Sequence, residues 1–139
     1  MQNTGSGLMI VNTGDGKGKT TAAFGLALRA AGQGLKVLII QFMKGQENIG
    51  EIMALEKCKL LIEVNKFGRP GFVQSRACEP LDIYLADQGL NYFRHVLPLP
   101  DYGMIILDEI LVAIDFGLLK ERALCEVLKM RPIHMHVVL

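Results

Sequence analysis

The sequence predicts an α/β domain built on a mainly parallel sheet of about five strands, with helices covering both faces in a three-layer sandwich. Three observations predict it. Short apolar runs alternate with longer amphipathic runs from one end of the chain to the other. The apolar runs are continuous, as in strands buried on both faces, rather than alternating with polar residues. A glycine-rich segment, NTGDGKGKTTAAFG at residues 12–25, stands where the first strand should hand over to the first helix.

The elements follow in order. Residues 8–12 (LMIVN) are short, apolar and partly β-branched, so they read as a buried strand. Residues 19–31 hold strong helix formers with an apolar face through Ala23, Leu26, Ala27 and Ala30, and Gly32 and Gly34 stop them. Residues 36–42 (KVLIIQF) form a second buried strand that ends in a polar edge at residues 41–45. A helix is expected over 48–57 and a strand over 60–65. Residues 67–74 (FGRPGFVQ) must be loop, because two glycines and a proline break any ladder. A long amphipathic helix spans 80–97, with Pro80 at its start. Residues 103–107 (GMIIL) form a continuously apolar strand that runs into Asp108 and Glu109. A helix over 119–130 ends before Pro132, and residues 134–139 close as a strand.

The chain of 139 residues suits one domain with a real core, spanning residues 1–139. Its formal net charge of +1 gives no global pull toward nucleic acid or an anionic membrane. Cys58, Cys78 and Cys125 are far apart and form no CxxC pair, so they are expected to be reduced, mostly buried thiols of a cytoplasmic protein. The polar N-terminus shows no secretory pattern, and no apolar run reaches membrane-spanning length. The last segment is a strand, where such sheets usually carry a further helix, so a closing C-terminal segment is expected to be absent from this chain.

Strand, glycine-rich loop, Lys-Thr and helix is an arrangement that cradles phosphates. The glycines let successive N–H groups point into one concavity, and the helix adds its free N–H groups and its positive end. Lys19 would reach phosphate oxygens and the Thr20 hydroxyl would hold Mg²⁺. The match to G-x-x-x-x-G-K-[ST] is a variant: Thr13 stands at the first position, and glycines fall at Gly14, Gly16 and Gly18. A flexible basic surface loop is the plain alternative. The mechanism also needs a carboxylate on a neighbouring strand, and Asp108 or Glu109 supplies one; the second acid could orient a water or a substrate. The plain alternative for Asp108 is a helix N-cap. His134 and His136 share a strand face, which strand periodicity alone explains, although they could bind a metal. His95 reads as a polar-face residue.

These residues resemble the P-loop type of ATP:corrinoid adenosyltransferase, also called cob(I)alamin adenosyltransferase. The likeness lies in residues 11–34 (VNTGDGKGKTTAAFGLALRAAGQG), 37–45 (VLIIQFMKG), 67–73 (FGRPGFV), 102–119 (YGMIILDEILVAIDFGLL) and 131–139 (RPIHMHVVL). It implies a P-loop NTPase-like fold and transfer of the 5′-deoxyadenosyl group of ATP to the cobalt(I) of a reduced corrinoid, with release of triphosphate. It implies that Thr13, Gly14, Asp15, Gly16, Lys17, Gly18, Lys19, Thr20 and Thr21 hold ATP. Thr20, Asp108 and Glu109 would serve Mg²⁺, and Lys19 and Glu109 would act electrostatically, with no protein nucleophile. Arg29 matches a family arginine that helps place the nucleotide; a solvated helix charge is the alternative. Gln41 and Lys44 match the edge of the second strand, Lys44 being either a nucleotide or corrinoid contact or a plain surface lysine. Phe72 would cover the corrinoid, with a core phenylalanine as the alternative.

The resemblance further implies a homodimer and a flavoprotein reductase that supplies cobalt(I); the near-neutral charge and the lack of a long apolar run lead to the expectation of no nucleic-acid or membrane partner. Three departures stand out: Gln74 where some members carry tryptophan, Leu111 where asparagine is frequent, and an end at Leu139 before the family's Thr-Gly-Arg turn. Two other readings make different products. A phosphotransferase or ATPase would release ADP, and a non-catalytic ATP-binding corrinoid carrier would turn nothing over.

Overall fold

The computed structural model describes residues 5–45, 50–71 and 78–139. Ten elements follow along them, strand and helix alternating up to β4 and two helices preceding the last strand: β1 (Met9–Ile10), α1 (Lys19–Gly32), β2 (Val37–Phe42), α2 (Gly50–Cys58), β3 (Ile62–Phe67), α3 (Pro80–Val96), β4 (Met104–Asp108), α4 (Ile110–Asp115), α5 (Glu121–Leu128) and β5 (His136–Val138). The five strands form one sheet in the order β1-β5-β4-β2-β3, every pair parallel.

The pleat sorts the apolar side chains onto two faces. Val37, Ile39, Met104, Ile106 and Val138 meet Ala23, Phe24, Ala27 and Ala30 of α1, with Ile52 and Leu55 of α2 at the margin. Leu38, Ile40, Phe42, Ile105 and Leu107 meet Leu90 and Phe93 of α3, Ile110 of α4 and Leu124 and Val127 of α5 on the opposite face. Every residue of β2 and β4 is buried, which is why these strands read as unbroken apolar runs. Each large side chain removed from water here contributes roughly 1.5–3 kcal/mol before the cost of ordering it. The small residues of α1 let its axis lie close to the sheet. Gly89 does the same for α3, because a Cβ there would stand 2.7 Å from Cε1 of Phe42.

Several expectations shift. The first strand is shorter than residues 8–12, and it is not buried: it lies at the sheet edge with Leu8, Met9 and Val11 exposed. Among the described residues only β5 pairs with it, so an apolar run signals a strand without saying on how many sides it is covered. The third strand begins later than residue 60, because α2 runs to Cys58 and turns through Lys59 at φ 49 before pairing in the register Val37↔Ile62 to Phe42↔Phe67. Residues 48–49 of the expected second helix lie outside the described residues.

The helix α4 was not anticipated. Its six residues are hidden in a continuous apolar stretch, and only Gly117 at φ 78 punctuates the end. His134 lies in a turn rather than on the last strand, and His136 accepts a hydrogen bond at Nδ1 from the N–H of Leu8 at 3.1 Å. The cysteines are not mostly buried: Cys58 and Cys125 are exposed and Cys78 is half-buried. Their positions on α2, before α3 and on the outer side of α5 account for this, and no two of them form a disulfide. No helix among the described residues is long and apolar enough to cross a membrane.

Candidate functional site

The C-terminal ends of β2 and β4 and the first turn of α1 converge at one edge of the sheet, where open α/β sheets bind ligands. The loop into α1 is shaped by two glycines. Gly14 at φ 133 and Gly18 at φ 109, the N-cap of α1, adopt backbone angles that side chains disfavour. The freedom lost with Thr13 is thus recovered one residue later at Gly14. The N–H groups of residues 14–18 find no acceptor among the described residues. Lys19 folds back over the loop and donates from Nζ to the carbonyls of Gly14 at 2.5 Å and Gly16 at 3.0 Å. A nest of free amides, a helix N-terminus and an ammonium group thus lie together, which is the chemistry of an anion site.

The carboxylate side of the site is more enclosed. Asp108 ends β4 with its side chain 4 % exposed. It accepts from Oγ1 of Thr20 at 3.2 and 3.3 Å and from Nε2 of Gln41 at 3.1 Å. Gln41 is its register partner across β2 and is itself fully buried, with Oε1 lacking a partner among the described residues. Asp108 is therefore not the helix N-cap; Glu109 holds that place, at φ 65. Nor is the carboxylate strand a neighbour of β1, since β5 lies between them. Contact is made because α1 crosses the sheet over β4 and carries Thr20 to it.

Lys44 is not a plain surface lysine. Its Nζ donates to Oγ1 of Thr20 at 2.8 Å and stands 3.5 Å from Oδ2 of Asp108 and 3.3 Å from Oε1 of Glu109. A turn and a close approach of the backbone put it there. Met43 turns the chain at φ 63, and a Cβ at Gly68 would collide with the backbone nitrogen of Lys44. Positive φ at a side-chain-bearing residue costs roughly 1–3 kcal/mol, and Met43 and Glu109 both carry it beside this site. Gln41 had a legible signal, a polar residue inside an otherwise apolar strand. The inward aim of Lys44 did not, because it depends on the Met43 turn.

A cleft of about 390 Å³ opens between the loop, the end of β4 and α4. Thr13, Lys19, Asp108 and Glu109 line its polar side, and Leu111 and Val112 its apolar side. Leu111 thus faces the cleft with hydrocarbon, where an amide would have offered a hydrogen bond. Thr13, Asp15, Lys17 and Thr21 are exposed around the loop. Arg29 is not brought to the site: it is exposed in the last turn of α1, roughly 14 Å along the axis from Thr20. Within this chain it is a solvated helix charge. Phe72 lies outside the described residues, as do Val73 and Gln74.

Among the described residues no three His, Cys, Asp or Glu side chains form a metal-binding group. The donor set that does exist, a hydroxyl and two carboxylates, is made of hard oxygens that already hold one cation, the ammonium of Lys44. That set suits a hard divalent ion which takes its remaining ligands from water or phosphate.

The comparisons with known proteins agree with this geometry. The family model described as ATP:corrinoid adenosyltransferase BtuR/CobO/CobP matches residues 5–139. The chain is similar to the corrinoid adenosyltransferase of Pseudomonas aeruginosa, 34% identical over 133 residues that cover 95% of this chain and 64% of that one. It is similar to the corrinoid adenosyltransferase CobA of Salmonella typhimurium, 35% identical over 96% of this chain and 66% of that protein. The corrinoid adenosyltransferase of Escherichia coli K12 is 34% identical over the same shares. The chain thus spans just under two thirds of the length of these relatives. With a glycine-rich loop on a parallel α/β sheet, and a family-model match that runs through all of its described elements, the chain belongs to the ATP:corrinoid adenosyltransferase family.

Proposed function

We propose that this chain binds ATP by its triphosphate and transfers the 5′-deoxyadenosyl group to the cobalt(I) of a reduced corrinoid, as a step in making adenosylcobalamin. The observation that carries the reading is the convergence of the amide nest, Lys19, Thr20 and Asp108 at one edge of the sheet in a member of this family. The cobalt(I) electron pair would attack C5′ of the ribose, the C5′–O bond would break, and triphosphate would leave with the bonding electrons. Cobalt(I) is itself the nucleophile, so the protein needs only to position the reactants and stabilise charge.

Each group has a role in this scheme. The loop amides and Lys19 grip the polyphosphate and face the negative charge that grows on it. Residues 13–21 form the ATP contact, with the exposed Lys17 adding charge at the rim. Thr20, Asp108 and Glu109 would hold Mg²⁺, which when bound supplies further charge stabilisation to triphosphate. Gln41 fixes the orientation of Asp108. The apolar wall of Leu111 and Val112 offers the cleft a surface that excludes water. Phe72 as a corrinoid cover, Arg29 as a nucleotide contact, a homodimer and a flavoprotein source of cobalt(I) complete the reading, with the family resemblance as their support; a cytoplasmic location is supported by cysteines that form no disulfide with one another.

Anaerobic incubation with chemically reduced cobalamin, ATP and Mg²⁺ tests it. The expected result is the optical spectrum of light-sensitive adenosylcobalamin together with one triphosphate per turnover. ADP as product would point to a phosphotransferase instead, and ATP binding without turnover to a carrier.

A further inference from the structure

Three oxygens that could hold a divalent cation are already occupied by an internal one. The ammonium of Lys44 touches Oγ1 of Thr20 and lies within 3.5 Å of both Asp108 and Glu109. We propose that Lys44 is a displaceable internal counter-ion: it fills the cation position of the ligand-free site and must leave before a divalent ion can enter. This rests on the reading of Thr20, Asp108 and Glu109 as the cation ligands.

The physical case begins with charge. Asp108 is almost wholly buried, and Glu109 follows it directly with its side chain 28% exposed. Two adjacent carboxylates in such surroundings repel each other, and an ion pair removes that cost. Lys44 supplies the pair, and it keeps Thr20 and Asp108 on the geometry that a divalent ion would need. A divalent ion on these oxygens requires the volume that the ammonium occupies, so the two exclude one another.

The exit route is visible as well. The Lys44 side chain is 24% exposed and reaches the site from the rim of β2, so it can rotate toward solvent without unpacking the core. Its backbone lies close against Gly68 after the chain turns at Met43. The device is therefore a side-chain swing. Its consequence is a threshold. A bare divalent ion must displace a lysine and binds weakly, whereas an ion arriving with a polyphosphate brings extra ligands of its own and drives the ammonium out to solvent. Lys44 would thus couple cation entry to nucleotide entry, acting as a positioning residue on both.

The test uses Mn²⁺ as the probe, followed by its EPR signal without nucleotide. Lys44→Met should bind Mn²⁺ at least roughly tenfold more tightly than the unaltered protein, the scale expected when a close, half-buried charge is removed from carboxylates. Lys44→Arg, which keeps the charge, should stay near the original affinity. Lys44→Gln serves as a second neutral variant should the methionine variant fail to fold. In the unaltered protein, acylation of Lys44 by an amine-reactive ester, read by mass spectrometry, should rise when Mn²⁺ and ATP are added together. Equal or weaker Mn²⁺ binding in both neutral variants, or acylation that Mn²⁺ and ATP leave unchanged, overturns the proposal. The cation reading fails separately: it falls if adding Asp108→Asn to Lys44→Met leaves Mn²⁺ affinity unaltered, since the ion would then sit elsewhere.

Discussion

Lys19 and Asp108 meet the same ligand problem from opposite sides, one with an ammonium over the loop and one with a buried carboxylate. Removing the first should be expensive. Lys19→Ala is expected to lower adenosyl transfer by roughly 10²–10³-fold, the range for losing one preorganised donor to a developing charge. An unaltered rate of adenosylcobalamin formation would contradict its assignment. Asp108→Asn should weaken Mg²⁺ affinity by roughly ten- to a hundredfold, read as a rise in the Mg²⁺ titration midpoint; an unshifted midpoint transfers the metal role to Glu109. Both residues stood out in the sequence because their chemistry is local: a lysine at a helix start, an acid at a strand end. Gln41 and Lys44 gain their roles only from register and from the turn at Met43. Neither property is written in the residues themselves.

Elements set the next level, because the site is held by contacts between strand ends and helix starts. A Cβ at Gly68 has only backbone to meet, so Gly68→Ala must push the segment after β2 away from the end of β3. A loss of roughly 1–3 kcal/mol in urea unfolding is expected, together with a disturbed Lys44. A loss under a few tenths would show that the two segments are not in contact in solution. The start of α3 carries a pH-dependent clamp. Arg69 donates to Asp82 at 2.7 and 3.0 Å, and the N–H of Glu79 donates to the same carboxylate at 2.8 Å.

The hydrogen bond from Arg69 leads in holding the Asp82 carboxyl below its ordinary 3.8, outweighing the opposing effect of burial. A depressed carboxyl pKa stabilises the fold at pH above the unfolded value, and that stability is lost as pH falls through the folded one. Stability should therefore decline below about pH 4, and Asp82→Asn should flatten that acid limb in urea midpoints measured from pH 7 to 3. An acid limb of the same slope in the variant would remove Asp82 as its source. Of the expected loop over residues 67–74, the first residue ends β3, paired with Phe42, residues 68–71 lie outside the helices and strands, and residues 72–74 lie outside the described residues.

At the scale of the whole molecule, nucleotide binding and folding are linked. With ATP and Mg²⁺ at about a hundred times their dissociation constant, binding should add about 2.7 kcal/mol, which raises the Tm of a domain of this size by roughly 10 °C. Hydrogen exchange should slow most at residues 14–18, whose amides find no acceptor among the described residues. Protection confined to another surface would displace the site. The order of elements apart from α4, the parallel character of the sheet, and the placing of the glycine loop before α1 and of the acid pair at the end of β4 were determined by sequence alone. Each rests on a pattern within about a dozen consecutive residues: continuous apolar runs, a 3.6-residue periodicity, glycines beside a lysine. Tertiary structure alone decided that β1 lies at an edge with exposed apolar side chains, that β5 separates it from β4, and that Arg29 stays far from the loop. It alone decided that Lys44 turns inward upon Thr20, Asp108 and Glu109. These depend on which segments distant in the chain become neighbours. That choice minimises the free energy of the packed sheet and its helices as a whole, and no short window of residues contains it.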